Sequence, residues 1–174
     1  MNLQDMLTLY DYTYWATRRV LAASSRLSPA QFTAPAPHSL GSLRGALVHT
    51  LDGECAWRTL YQHQTLAAFG ALQEAMFPTV ASVEQRWDEE ERAMRAYLAG
   101  LSDDDLTAYI RYTTPEGAYR ERPLWHCLMH VVNHGTQHRS EAAAILTGYG
   151  SSPGDLDFTT FLNEQRRSEP IRPA

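Results

Sequence analysis

Four of the seven histidines in this chain recur at every fourth residue, as His126, His130, His134 and His138. Residues four apart lie on nearly the same face of an α-helix, so this spacing predicts a row of imidazoles along one helix. Neutral imidazole is the most common protein ligand of zinc, nickel, copper and iron. This row, which we call the histidine ladder, therefore indicates a metal-binding function.

The apolar residues of the same helix divide the ladder into two pairs. They follow the three- and four-residue spacing of a buried face, at Leu124, Cys127, Val131, Ala142 and Ile145. Continued from Val131, that face reaches His134 and His138, at positions where a helical bundle would otherwise hold aliphatic side chains. Burying an imidazole without a partner is unfavourable. We therefore predict that these two histidines share a partner, with a metal ion as the natural candidate.

The other two members of the ladder deviate from this face by about 40° for each four-residue step. We expect His130 to neighbour the metal site and His126 to be partly exposed near the start of the helix. A ligand pair on one helix normally needs a third ligand from another element. His49 is the best candidate, because small residues on its helix face let another helix approach. His38 and His63 lie in or near connections and are weaker candidates.

Three further segments have the periodicity of amphipathic helices and precede the ladder. We predict the first at residues 2–26 and the second from Ser42 to near Gly70. The third is expected to open with a capping box formed by Ser82 and Gln85. The connections after the first and third helices are long, which favours at least one crossover between helices that are not neighbours.

The fourth helix carries the ladder and is predicted from Pro123 to Gly148. Residues 109–122 alternate apolar and polar side chains around a Pro-Glu-Gly turn. This pattern is typical of either a short hairpin or an irregular excursion.

The predicted fold is all-α: a four-helix bundle with a crossover connection, plus a short C-terminal helix at residues 156–167. A chain of 174 residues is long enough for one domain with a substantial core. We assign residues 1–165 to the bundle and residues 166–174 to a frayed tail.

The charge and composition of the chain limit the partners and mechanisms that we expect for it. The net charge is −5 and no basic cluster is present, which argues against direct nucleic-acid binding. All fifteen basic residues are arginine, so a Schiff-base lysine mechanism is excluded. No apolar run is long enough to span a membrane and no secretory signal is visible, so we expect a cytoplasmic protein. Cys55 and Cys127 lie among apolar neighbours and are expected to be buried thiols.

Several segments resemble the DinB-like (damage-inducible) family of proposed metalloenzymes. Residues 39–57, SLGSLRGALVHTLDGECAW, resemble its second helix, with a His followed by E-x-x-W. Residues 124–150 resemble its fourth, with N-H-x-x-x-H-R before a run of small residues. Residues 148–162 resemble its closing G-x-x-P-x-x-x-D-F, and residues 10–32 match its first helix more loosely.

The resemblance implies a four-helix bundle with one crossover, commonly a homodimer, that holds one divalent metal ion per chain. Carried across, the ligands are His49, His134 and His138, the three also reached from spacing. The family suggests nickel or zinc as the ion. Related branches transfer or isomerise substrates with low-molecular-weight thiols such as bacillithiol or mycothiol.

Three imidazoles leave coordination positions open, as catalytic sites do. We interpret the chain as a metal-dependent small-molecule enzyme of thiol S-transferase or hydrolase type, linked to damage or stress response. The alternative is a non-catalytic, dimeric metal-binding stress-response module. No catalytic residue is assigned. Haem held by paired histidines is less favoured, and a di-iron site less still, because the Glu-x-x-His pairs of such sites are missing.

Three polar residues near the expected ligands have open roles. Glu54 is offset by about 140° from His49 around its helix, so we expect it to orient another group rather than contact the metal. Asn133 and Arg139 flank the ligand pair. They either bind an anionic substrate or are ordinary polar residues at the edge of the bundle. A metal-free alternative for His134 and His138 is a pair of core histidines hydrogen-bonded to Tyr or Glu.

Overall fold

The computed structural model describes residues 1–37, 40–67, 69–114 and 117–168. Within these ranges the chain forms seven α-helices and one antiparallel hairpin. The helices are α1 Leu3–Ser24, α2 Pro29–Thr33, α3 Leu43–His63, α4 Val80–Ala99, α5 Asp103–Thr107, α6 Leu124–Gly148 and α7 Phe158–Ser168. The strands are β1 Tyr109–Thr113 and β2 Tyr119–Pro123, and a 3-10 turn spans Glu74–Met76. The predicted all-α class is confirmed, with the small hairpin as an addition.

The four long helices α1, α3, α4 and α6 form the bundle. The pairs that pack most extensively are α3 with α6, α1 with α6, α3 with α4, and α1 with α4. This pairing arranges the helices around the bundle in the order α1, α6, α3, α4. The connections from α1 to α3 and from α4 to α6 therefore lead to diagonally opposite helices, and these are the two connections whose length predicted a crossover.

Side-chain caps begin the first two long helices. Asn2 and Asp5 form a capping box at α1, in which each side chain accepts a hydrogen bond from the backbone N–H of the other. The Ser42 hydroxyl accepts from the Gly45 N–H at 2.9 Å, which begins α3 where the sequence predicted it.

Helix α4 begins one turn earlier than predicted. Thr79 is its N-cap and Ser82 is the third helical residue, and the two side chains form the capping box together. The predicted box of Ser82 with Gln85 is therefore wrong. Thr79 with Ser82 and Ser82 with Gln85 both have suitable residue types. The pair that starts at Thr79 forms the capping box and adds one turn to the helix.

Helix α3 ends at His63 rather than near Gly70. Its C-cap, Gln64, has the left-handed backbone conformation, with φ of 53°, and its N–H bonds to the Leu60 carbonyl at 2.8 Å. A left-handed residue ends a helix because it turns the backbone away from the helical path, so the regular backbone hydrogen bonds of the helix cannot continue beyond it. Glycine usually occupies such a position, so Gln64 gave no signal in the sequence.

The hairpin fixes the position at which the histidine-bearing helix begins. β1 and β2 pair in antiparallel register, with Ile110 opposite Arg122, so the hairpin alternative is confirmed. Ile110 is buried, and the Leu124 N–H bonds to the Ala108 carbonyl at 2.8 Å. Helix α6 therefore begins directly where β2 ends, one residue after the predicted start at Pro123.

The C-terminal helix α7 packs on α1 through aromatic rings. Tyr12 meets Phe158 edge-on, with ring centroids 5.2 Å apart, and Phe161 at 5.9 Å. The short terminal helix expected from the sequence is thus confirmed. It continues to Ser168 and so contains residues 166–168, which the sequence analysis assigned to the tail.

The interior consists of two apolar clusters with polar residues between them. In α6 one cluster ends at Val132 and the other begins at Ala142. The intervening turns carry the two central histidines. Glu54 of α3 and Glu90 of α4 are also buried, and Glu90 accepts a hydrogen bond from the Cys55 thiol. The middle of the bundle is therefore polar, in contrast to the apolar clusters on either side of it.

Both cysteines are buried and free, as expected. Among the helices in the described ranges, none has both the length and the apolar character that crossing a bilayer demands.

Candidate metal centre

Three histidines from two helices meet at the interface of α3 and α6. We call His49, His134 and His138 the histidine triad. One ring nitrogen from each lies within 4.8 Å of the others, and the Nε2 atoms of His49 and His134 are 3.1 Å apart. His138 is buried, His134 is half-buried and His49 is exposed. The structure therefore brings together the three residues that the sequence analysis chose, with one edge of the cluster open to solvent.

A glycine on α3 makes room for the cluster. A Cβ atom built on Gly53 would lie 2.9 Å from Cε1 of His134, closer than real Cβ contacts allow. The His134 ring therefore packs directly on the backbone of α3, one turn from His49. The sequence analysis expected small residues on this face to admit another helix, and Gly53 does so.

A carboxylate orients the most buried histidine. Nδ1 of His138 lies 2.9 Å from Oε2 of Glu141, three residues later on the same helix. This contact leaves Nε2 as the ring nitrogen available to a ligand. Glu141 is not among the residues predicted from the sequence. The spacing His-x-x-Glu, which places both side chains on one helix face, was the signal that could have found it.

The surroundings keep two members of the triad uncharged. Burial lowers the pKa of His134 to about 4, and the nearby His138 and His49 rings disfavour a positive charge there further. Burial also lowers the pKa of His49, with His138 acting in the same direction. Near neutral pH both imidazoles therefore have a lone pair available, which metal binding requires.

The outer half of the ladder lies beside the triad. The His130 ring is exposed and packs against Trp57, with centroids 5.0 Å apart, and lies 5.8 Å from the His134 ring. It is a neighbour of the cluster, as predicted. His126 is exposed near the start of α6 and contacts the adjacent Trp125 ring.

The two weaker histidine candidates do not join the cluster. His63 is the last residue of α3 and is exposed. His38 lies outside the described residues.

Glu54 lies inside the bundle, away from the triad. The Tyr14 hydroxyl donates to its Oε1 at 2.5 Å. Burial raises the pKa of Glu54 to about 7, although the hydrogen bond from Tyr14 acts in the opposite direction. Its contact with Tyr14 fits the expectation that Glu54 orients another group.

Arg139 does not lie at the edge of the bundle, which was one of its two sequence-based interpretations. Only 3% of the residue is exposed. Its Nη2 donates to Oγ1 of Thr136 at 3.1 Å, and its guanidinium lies over the Tyr12 ring at 5.7 Å. Arg139 is therefore an internal residue, and its buried Nη1 has no hydrogen-bond partner among the described residues. Asn133 is exposed on α6.

The sequence matches one known protein family over almost its whole length. A sequence model of the DinB family matches residues 1–170. The chain belongs to the DinB family. Its relatives include Protein DinB of Bacillus subtilis (strain 168), which is 24% identical over 165 residues, covering 92% of this chain and 96% of that protein. The family resemblance drawn from the helix motifs is thus confirmed.

A cavity of about 500 Å³ opens beside the exposed member of the triad in this DinB-family protein. His49 lines it together with Arg44, Asp52 and Glu74. The charged groups of this cavity are already paired. Arg44 contacts Glu74 at 3.1 Å, and the Asp52 carboxylate accepts from the Leu72 N–H at 2.6 Å. A small molecule in this cavity would contact His49.

Proposed function

We propose that this DinB-family protein binds one divalent metal ion per chain through His49, His134 and His138. We further propose that it uses the ion in thiol S-transfer or hydrolysis of a small molecule. The observation that carries the proposal is the convergence of three imidazole nitrogens from two packed helices within 4.8 Å. His138 is buried and His134 is half-buried, which makes a shared metal ion a favourable partner for ring nitrogens this close.

The donor set fits a divalent ion. Metal–nitrogen bonds of about 2.0–2.1 Å in a tetrahedral site hold ligand nitrogens about 3.3 Å apart, and His49 and His134 already lie 3.1 Å apart. The carboxylate of Glu141 on His138 matches the carboxylate–histidine pairs that orient metal ligands. Imidazole ligands suit nickel and zinc, which are the ions we propose.

The chain's own residues support an open, reactive centre. A bound ion would supply Lewis acidity, which lowers the pKa of a water or thiol that reaches it. Glu141 holds His138 in one orientation, and Gly53 lets the His134 ring pack against the backbone of α3. The exposed edge at His49 admits a substrate. The apolar clusters on either side exclude bulk water from the inner face. We extend the proposal to a low-molecular-weight thiol as substrate and to a homodimer, both of which rest on the family resemblance.

Metal analysis of variants tests the ligand set. The protein should be purified without an affinity tag and its metal measured by elemental analysis. We expect about one nickel or zinc per chain in the wild type and a loss of most of it in His134→Ala. His126→Ala is the matched control, since it belongs to the same ladder but lies outside the triad, and it should keep its metal. Unchanged metal content in His134→Ala would refute the assignment.

A substrate screen tests the enzymatic part. The metal-loaded protein should be incubated with bacillithiol and a panel of electrophiles, and the loss of free thiol measured. Turnover that disappears in His134→Ala supports the transferase proposal. Metal binding without turnover in this screen would instead favour the non-catalytic module.

A further inference from the structure

A second cavity lies between the hairpin and the first turns of α6. We call it the hairpin cavity. Its volume is about 350 Å³, and it is lined by Trp57, Tyr112, Arg122, His126, Cys127 and His130. It thus contains the two members of the ladder that the proposed metal site leaves unused.

The hairpin cavity adjoins the histidine triad along the ladder. His130 lines the cavity, and its ring lies 5.8 Å from the ring of His134. Four residues of α-helix rise about 6 Å, so the cavity begins one turn from the triad and reaches His126 about 12 Å from His134. A small molecule that fills the cavity and extends one helical turn beyond His130 would therefore reach the triad.

The walls of this cavity are aromatic. The Trp57 ring lies edge-on to Tyr112, with centroids 5.6 Å apart, and packs against His130 at 5.0 Å. Aromatic rings favour edge-on and offset contacts with other flat apolar groups. The middle of the cavity therefore suits a flat, apolar portion of a ligand.

The hairpin side of the cavity is positively charged. Arg122 lies on β2, and its Nε donates to the Tyr112 hydroxyl at 3.3 Å, which directs the guanidinium along the cavity wall. In the described part of the chain, no carboxylate lies within ion-pair distance of Arg122, and no acidic residue lines the cavity. The cavity beside His49 differs, because its arginine is already paired with Glu74. An anionic group is therefore favoured at the hairpin end.

We propose that the hairpin cavity binds the distal part of an aromatic carboxylate substrate, with its reacting group at the histidine triad and its carboxylate on Arg122. Arg122 is then a specificity residue, and Trp57 contacts the ring of the substrate. This inference rests on the proposed function, because it takes the triad as the place where the substrate reacts.

Two thiols that differ by a single ring carboxylate test the proposal. The probes are 4-(mercaptomethyl)benzoate and phenylmethanethiol, titrated by calorimetry into the zinc-loaded protein. The proteins are the wild type, Arg122→Gln and the matched control Arg120→Gln, which removes an equal charge from the same strand but outside the cavity. All three should first be compared by circular dichroism and metal content.

We expect the wild type to bind the carboxylate thiol more tightly, by up to about fivefold, the size expected for an exposed guanidinium–carboxylate pair. Arg122→Gln should abolish that preference while leaving phenylmethanethiol binding unchanged, and Arg120→Gln should retain it. The inference is overturned if the wild type shows no preference, if Arg122→Gln keeps it, or if both variants lose it equally. If neither thiol binds the zinc-loaded wild type, this inference is overturned as well, whereas the proposed function fails only if His134→Ala keeps its metal or the bacillithiol screen shows no turnover.

Discussion

Gly53 lies directly against the His134 imidazole, so closely that a Cβ atom at residue 53 would stand 2.9 Å from Cε1. We predict that Gly53→Ala weakens zinc binding, because the added methyl group pushes the ring away from His49. Alanine is favoured over glycine in helices by about 1 kcal/mol, so the variant should fold at least as readily. Zinc affinity, measured by competition with a chromogenic chelator, should fall by tenfold or more.

Gly148→Ala is the control for this change. Gly148 is the last residue of α6, and nothing lies within 4 Å of the position a Cβ would occupy. It should leave zinc affinity unaltered. Equal zinc affinity in Gly53→Ala and the wild type would show that the His134 ring does not need its place on α3.

The contact of Glu141 with His138 predicts a loss of metal affinity on removal of the charge. Glu141→Gln should weaken zinc binding by about 10- to 100-fold, the usual effect of losing a carboxylate that orients a ligating imidazole. The measurement is chelator competition at fixed pH. Glu89→Gln, which removes an exposed carboxylate from α4, provides the comparison. If both variants lose affinity equally, the effect is one of overall charge and Glu141 does not position His138.

The pKa of His134, lowered by burial to about 4, predicts acid sensitivity of the metal-free protein. Between pH 6.5 and 4 the unfolded chain binds a proton on this residue and the native state does not. The free energy of unfolding therefore falls as the pH drops through this window. His134→Asn should remove that contribution. Urea unfolding of both proteins at several pH values gives the comparison, and parallel curves would contradict the prediction.

Glu54 should make the free energy of unfolding depend on pH in the opposite direction to His134. Its pKa is raised by burial to about 7, so between the ordinary carboxyl value and pH 7 the native state holds a proton that the unfolded chain has lost. Its contribution to stability is present at low pH and is lost as the pH rises towards 7. In Glu54→Gln the free energy of unfolding should decline less over this range, by up to about 1.4 kcal/mol per pH unit.

The hydrogen bond from Tyr14 offers a check on this residue. The Tyr14 hydroxyl lowers the pKa of Glu54, so Tyr14→Phe should raise that pKa further and extend the range of declining stability above pH 7. NMR titration of the Glu54 carboxyl carbon measures the value directly. A pKa that falls in Tyr14→Phe would mean that the hydroxyl does not stabilise the carboxylate.

The positions of the candidate site residues were largely predictable because helix periodicity is local. The four-residue spacing of the ladder, compared with the apolar face of the same helix, separates His134 and His138 from His126 without knowledge of the fold. His49 required one more inference, from the small residues around it. Glu141 was missed because its contact depends on the side-chain rotamers of two residues, which spacing alone does not determine.

The errors in the fold also have local causes. At the start of α4, Thr79 and Ser82 both have the side chain of an N-cap, and only packing of the additional turn decides between them. The end of α3 depends on a glutamine in a backbone conformation that usually indicates glycine. For Arg139 the sequence left two roles open, an anion-binding residue or a polar residue at the edge of the bundle, and did not predict its burial, because the contact with Tyr12 depends on helices distant in sequence.

The histidines that meet at the centre come from opposite halves of the chain, since His49 and His134 are 85 residues apart. An ion bound by both would act as a reversible cross-link that exists only in the folded state. At a free concentration 100 times its dissociation constant, such a ligand adds about 2.7 kcal/mol to the free energy of unfolding. Unfolded copies are the ones that proteases remove, so the supply of metal would set the lifetime of the protein in the cell as well as the occupancy of its site.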